Sequence, residues 1–264
     1  MKQRDYNVSF VGFGDVLETS ADLTPNGVDA ITFQEMTNVT PGTLKNVSDE
    51  NEITDFQNAE DDKIDFSVIS KEGAKKFEFQ VFDVDFQNLL LAFGGSVTDG
   101  YWKAPIATYG GIEKSLKIVS RSVNGIKAVK FFPRVKVTAM NVGEYTGDAT
   151  NDIKFSVTIL TPTDSSTSTT FSNELIYSKA NPPMSATYVA STGVLTFDYI
   201  DGFGEATDYE YTEDAGGSWL TCAMNPDNIS TSLASVGLRV KKYASSTMSE
   251  AQWQESTTLN VTVI

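Results

Sequence analysis

Asp83 and Asp85, two positions apart at the end of an alternating apolar segment, are the nearest thing in this sequence to a catalytic pair. Paired carboxylates cleave glycosidic bonds when they flank one bond across a gap of about 5 Å or more, and near neighbours at a strand end do not readily converge in that way. Other common chemistry is missing. There is no histidine, which removes Ser–His–Asp and Cys–His catalysis, histidine-ligated metals and the commonest general base. The one cysteine, Cys222, permits no intramolecular disulfide and reads as an inert buried thiol three residues after Trp219, itself expected in the core. Gly12 and Gly14 have GxG spacing, but Leu17 stands where a nucleotide loop needs its third glycine. A bulged strand with close backbone approach accounts for them better. Asp49, Glu50, Glu52, Asp55, Glu60, Asp61 and Asp62 form an acidic run without Lys or Arg, yet without the DxDxDG order of a calcium loop. The sequence thus predicts no enzyme, no cofactor and no metal site.

The elements that hold these residues are mostly strands. Phe77, Phe79 and Val81 alternate with polar residues, as do Ile64, Phe66 and Val68. The turn Lys71-Glu72-Gly73 predicts a hairpin between these two strands. One helix follows. Asp85 is a good N-cap with Val84 as a staple onto Leu89, and Phe86, Leu89, Leu90 and Phe93 make an apolar stripe expected to lie on a sheet. Gly94 and Gly95 end it. Residues 20–30 read as a turn around Pro25, Asn26 and Gly27, and residues 43–62 as a long polar loop or arm. That arm is either a solvated loop or a contact with a basic partner surface.

From Lys103 to Lys136 the charge reverses: Lys103, Lys114, Lys117, Arg121, Lys127, Lys130, Arg134 and Lys136 face only Glu113. Val123-Asn124-Gly125 is a strong hairpin turn. In the strand after it, Val129, Phe131, Val135 and Val137 share one face and Lys130, Arg134 and Lys136 the other. A basic strand face suits nucleic acid, solvent or an acidic surface on a second copy, and the net charge of −15 favours the last over nucleic acid. Tyr101 and Trp102 together in a loop read as a plug over the core or an interface anchor.

Residues 161–172, rich in Ser and Thr, read as a linker, and Asn181-Pro182-Pro183 as a boundary. Two domains are expected, 1–178 and 179–264. In the second, short strands recur every 8–12 residues or so, as in a β-sandwich. Leu195 and Phe197, Leu238 and Val240, and Leu259, Val261 and Val263 mark its apolar faces. The N-terminus lacks an apolar run after its charges, and no stretch approaches about 18 apolar residues, so a cytoplasmic protein without a membrane partner is expected.

Residues 5–178 resemble the major tail, or tail tube, proteins of long-tailed bacteriophages. The likeness lies in the early GFGD strand, the acidic long loop, and a strand running into the helix DVDFQNLLLAFGGSVT, with Asp85, Leu89, Gly94 and Gly95 in a D-x-x-x-L-x-x-x-x-G-G pattern. The last part, with YEYTEDAGGSWLTCAMNP and VGLRVKKYASS, resembles immunoglobulin-like or fibronectin type III domains, which often decorate such proteins outwardly. The resemblance implies a mainly β fold: a tail-tube-like sandwich or barrel with one short helix, followed by an Ig-like sandwich. It implies a homo-oligomer of six-membered rings stacked into a tube, with other tail proteins as partners, in the virion tail after assembly in the bacterial cytoplasm. DNA would pass through a negative lumen without specific binding. Asp49 to Asp62 matches the inter-ring loop, and Lys130, Arg134 and Lys136 would face a neighbouring subunit. The alternative is a virion-borne adhesin binding host-surface carbohydrate on Tyr101, Trp102 and the Tyr199–Tyr211 stretch.

Overall fold

A computed structural model describes residues 8–40, 42–50, 52–57, 64–71, 73–82, 85–106, 109–142, 152–244 and 251–264. Side chains of 52–57, 64–71, 243–244 and 251–252 are not described. The fold is mainly β. Its first strands are β1 (Val8–Gly14), β2 (Gln34–Glu35), β3 (Lys45–Ser48), β4 (Glu52–Gln57), β5 (Ile64–Lys71) and β6 (Lys75–Val81). They continue as β7 (Ser96–Thr98), β8 (Tyr101–Lys103), β9 (Ile112–Ser120), β10 (Ile126–Asn141), β11 (Ile153–Ile159) and β12 (Leu175–Ala180). Eight of these form one sheet in the order β2-β1-β9-β10-β11-β6-β3, with β12 also on β10. The chain divides into two compact units. The first is Val11–Lys117 with Phe131–Leu175; the second is Ile118–Lys130 with Ile176–Ile264 and the described residues up to Phe10.

Alternation builds the core of the first unit. In the β11–β6 register Phe155 stands opposite Phe79, Val157 opposite Phe77 and Ile153 opposite Val81, and all six are buried. Phe79 stacks on Phe155 at 5.2 Å and on Phe13 at 6.4 Å between ring centroids. Each buried phenylalanine of this kind contributes about 1.5–3 kcal/mol. Gly12 and Gly14 lie within β1, and a Cβ on Gly14 would come within 2.6 Å of Ile31 Cγ2, so the crowding there is by a side chain rather than by the backbone. The turn Asn124-Gly125 joins β9 to β10 with both residues at positive φ, 50° and 72°.

Three local expectations are corrected. Residues 20–30 hold helix α1 (Pro25–Ala30), capped by Thr24 Oγ1, which accepts from Gly27 N, with Pro25 in the first turn and Val28 buried beneath. The polar loop of residues 43–62 contains β3 and β4. Finally, β5 pairs with β4, not with β6 across Lys71 and Gly73; the flanks of β6 are taken by β11 and β3. An eight-residue strand finds its partner by what is left open, which a local turn does not decide.

The second unit carries two four-stranded sheets. Its further strands are β13 (Ala186–Val189), β14 (Val194–Phe197), β15 (Tyr209–Thr212), β16 (Leu220–Thr221), β17 (Asp227–Asn228) and β18 (Gly237–Val240). The last are β19 (Tyr243–Ala244), β20 (Ala251–Trp253), β21 (Leu259–Asn260) and β22 (Thr262–Val263). The sheets run β17-β14-β13-β22 and β16-β15-β18-β21. Tyr188, Leu195, Phe197, Tyr209, Leu238 and Val240 close one core between them. Tyr209 is fully buried; its hydroxyl donates to Phe203 O at 3.0 Å and accepts from Ile200 N at 2.8 Å. Trp219 is not part of this core: it is half-buried and the Arg239 guanidinium lies over its ring at 3.8 Å. Among the described residues no helix is long and apolar enough to cross a membrane.

Candidate functional site

Helix α2 (Phe86–Phe93) organises the most distinctive surface of the first unit. Asp85 Oδ1 accepts from Asn88 N at 2.7 Å, and Gly94 N returns to Leu90 O at 2.9 Å with Gly94 at φ 70°, so both ends form as the sequence predicts. The Val84 staple lies outside the described residues. The buried face, however, is not the expected stripe. Asn88, Leu91 and Ala92 point inward; Leu89, Leu90 and Phe93 are half-buried and Phe86 is 41% exposed. The helix carries apolar residues on two sides, and the side with Asn88, Leu91 and Ala92 is the buried one.

The second apolar side walls a pocket. After Gly94-Gly95 the chain forms the β7–β8 hairpin, in which Val97 stands opposite Trp102. The Trp102 indole donates to Gly94 O at 2.8 Å, which fixes the ring beside the helix end. Tyr109 packs on Gly94, where a Cβ would come within 2.7 Å of Tyr109 Cδ2. Leu89, Phe93, Trp102, Tyr109, Thr138 and Ala139 are among the residues enclosing about 540 Å³. The Tyr109 hydroxyl is buried with no hydrogen-bond partner among the described residues, and burial raises its pKa. Among the described residues the lining has no carboxylate, lysine or arginine. A lining of this kind suits a ligand that buries apolar surface.

The sequence-predicted site residues fall into separate groups. Tyr101 and Trp102 are on β8, with Tyr101 45% exposed and under the Lys103 ammonium at 5.3 Å. Lys130, Arg134 and Lys136 lie along β10, but Arg134 is paired with Glu113 at 2.6 Å. Lys130 and Lys136 have no carboxylate partner among the described residues. Asp49 is held by Lys76 at 2.7 Å, and Glu50 is exposed just before β4. Glu52 and Asp55 are on the β4 backbone, whereas Glu60, Asp61 and Asp62 lie outside the described residues, as does Asp83. Within the Tyr199–Tyr211 stretch Tyr199 is 45% exposed, Tyr211 half-buried and Tyr209 buried. Tyr109 and Thr138 were not singled out in the sequence, because nothing in their spacing marks them as neighbours of α2.

Two carboxylates are spent on loops. Asp164 accepts from Ser166 Oγ and N, from Thr167 N, and from Ser20 N and Oγ. These bonds, led by the Ser166 hydroxyl, hold its carboxyl well below the usual range, and they turn the expected linker into a compact loop. Asp214 is likewise lowered, first by the Thr212 hydroxyl and then by Ser218. Cys222 is buried, and desolvation pushes its thiol up to about 12. Among the described residues no group of three or more potential ligands is placed to hold a metal. A scan against protein-family models finds no match for the chain, and a search of curated proteins finds none.

Proposed function

We propose that this chain is a structural subunit of a bacteriophage tail tube, assembling with copies of itself into stacked rings around a conduit for DNA. The carrying observation is open strand edge in the first unit. Among the described residues β4 and β5 pair only with each other, and the sheet ends on β2 and β3, whose residues are almost all exposed. A two-stranded ribbon is marginal in water by itself, and a stable protein covers or pairs its exposed edges. Adding each edge to a neighbour's sheet does both. The helix pattern of Asp85, Leu89, Gly94 and Gly95 supports the tail tube resemblance, and the net charge of −15 suits a conduit from which DNA is repelled. The six-fold ring, the other tail proteins as partners and the place in the virion tail rest on that resemblance.

Lys130 and Lys136 of β10 supply the test. In sedimentation velocity, the wild-type chain is expected to give species that grow with concentration. Lys130→Glu with Lys136→Glu is expected to stay folded and to lose them, because the reversed charges meet an acidic neighbour. A wild-type chain that remains monomeric at every concentration contradicts the reading. A double variant that assembles normally removes the lysines from the interface.

A further inference from the structure

Beside helix α2 the molecule holds a formed cavity, and we infer that it binds an uncharged aromatic molecule bearing a hydroxyl group. The site uses none of the strand edges invoked for self-assembly and does not rest on that reading. Its volume of about 540 Å³ falls among small-molecule sites, which run from about 300 to 1,000 Å³. Its walls are anchored before any ligand arrives. The Trp102 indole is tied to Gly94 O at 2.8 Å, and Tyr109 packs where Gly94 leaves no Cβ. On the helix side Leu89, Ala92 and Phe93 belong to a segment capped at both ends. A site with such supports loses little freedom when it is filled.

The lining specifies the guest. Phe93, Trp102 and Tyr109 bring three aromatic side chains to one cavity, and aromatic rings pair in offset or edge-to-face arrangements that favour an aromatic guest. Among the described residues the lining offers no carboxylate, lysine or arginine, so an ionised group brought inside loses its water without gaining a partner. A cation is disfavoured further by Lys136, whose Cε lies 3.4 Å from where a Cβ on the pocket-lining Gly111 would sit. Polar recognition then comes down to one group. Thr138 Oγ1 already donates to Ser156 O at 3.1 Å, and Asn141 is exposed. Of the lining side chains only Tyr109 has a polar atom that is buried and without a partner among the described residues. Leaving a buried hydroxyl unpaired is costly. A guest hydroxyl both donates and accepts, so it satisfies Tyr109 whichever way the tyrosine proton points.

The test measures binding to the full chain by equilibrium dialysis, with probes of one shape: p-phenylphenol, biphenyl and p-phenylbenzylamine, the last a cation at neutral pH. The phenol is expected to bind about fivefold or more tighter than biphenyl, the worth of one added hydrogen bond. The amine is expected to bind about tenfold or more weaker than the phenol. Tyr109→Phe keeps the ring and is expected to bring the phenol and biphenyl to equal affinity. Ala104→Trp, at an exposed pocket-lining position, is expected to fill the cavity and weaken the phenol about tenfold, with an unchanged urea midpoint. No saturable binding of the phenol overturns the inference. Equal binding of phenol and biphenyl by the wild type overturns it too, as does a preference that persists in Tyr109→Phe or binding untouched by Ala104→Trp.

Discussion

Gly95→Ala is expected to destabilise the first unit by about 3 kcal/mol, and Gly100→Ala by about 1 kcal/mol. The two glycines share a conformation, with φ of 91° and 81°, that costs an alanine about 1–2 kcal/mol. They differ in what surrounds them. A Cβ on Gly95 would lie 2.1 Å from Lys103 O and 3.1 Å from Trp102 Nε1, whereas nothing lies within 4 Å of one on Gly100. Since the nearer atom is backbone, β8 must retreat from the helix end. Trp102 then loses its 2.8 Å bond to Gly94 O, worth about 1 kcal/mol, and part of its packing. Urea denaturation of both variants, with equal slopes, measures the difference. A Gly95 variant no less stable than the Gly100 variant refutes the argument that this glycine seats β8 and shapes the pocket.

Tyr209→Phe removes the hydroxyl that joins Ile200 N to Phe203 O, and a loss of about 2 kcal/mol in urea is expected; a loss under about 0.5 kcal/mol would mean that water replaces it. For Cys222 the folded thiol is raised to about 12, so its contribution is complete below the unfolded value of about 8.5 and is lost as pH rises from there. Urea midpoints are therefore expected to fall between about pH 8.5 and 10 in the wild type and to fall less in Cys222→Ala, while an identical alkaline slope in both counts against a buried titration.

Local signals were legible in the sequence where a single residue type settles the backbone. Asp85, Gly94-Gly95 and Asn124-Gly125 gave the ends of α2 and the β9–β10 turn, because caps and left-handed turns depend on neighbours in the chain. The same sequence misled where two solutions have the same period. The stripe through Phe86, Leu89 and Phe93 is as regular as the face through Asn88, Leu91 and Ala92, and contacts from distant parts of the chain, not the period, select the second. Strand β4 was hidden because Glu52 and Asp55 break its apolar pattern, and the partner of β5 depends on which sheet edges are already filled. The Ser/Thr-rich segment had the composition of a linker, but the carboxylate of Asp164 gathers it against Ser20 from a distant part of the chain. The pocket was half visible: Trp102 stood out, while Tyr109 becomes part of it only through the close approach that Gly94 allows.

The central claim is that the open edges of this chain are closed by other copies of itself. Negative-stain electron microscopy of the purified protein at rising concentration in modest salt tests it most directly. The account predicts rings or tubes of uniform diameter. Isolated particles of monomer size at the highest concentration, with the chain still folded, would contradict it.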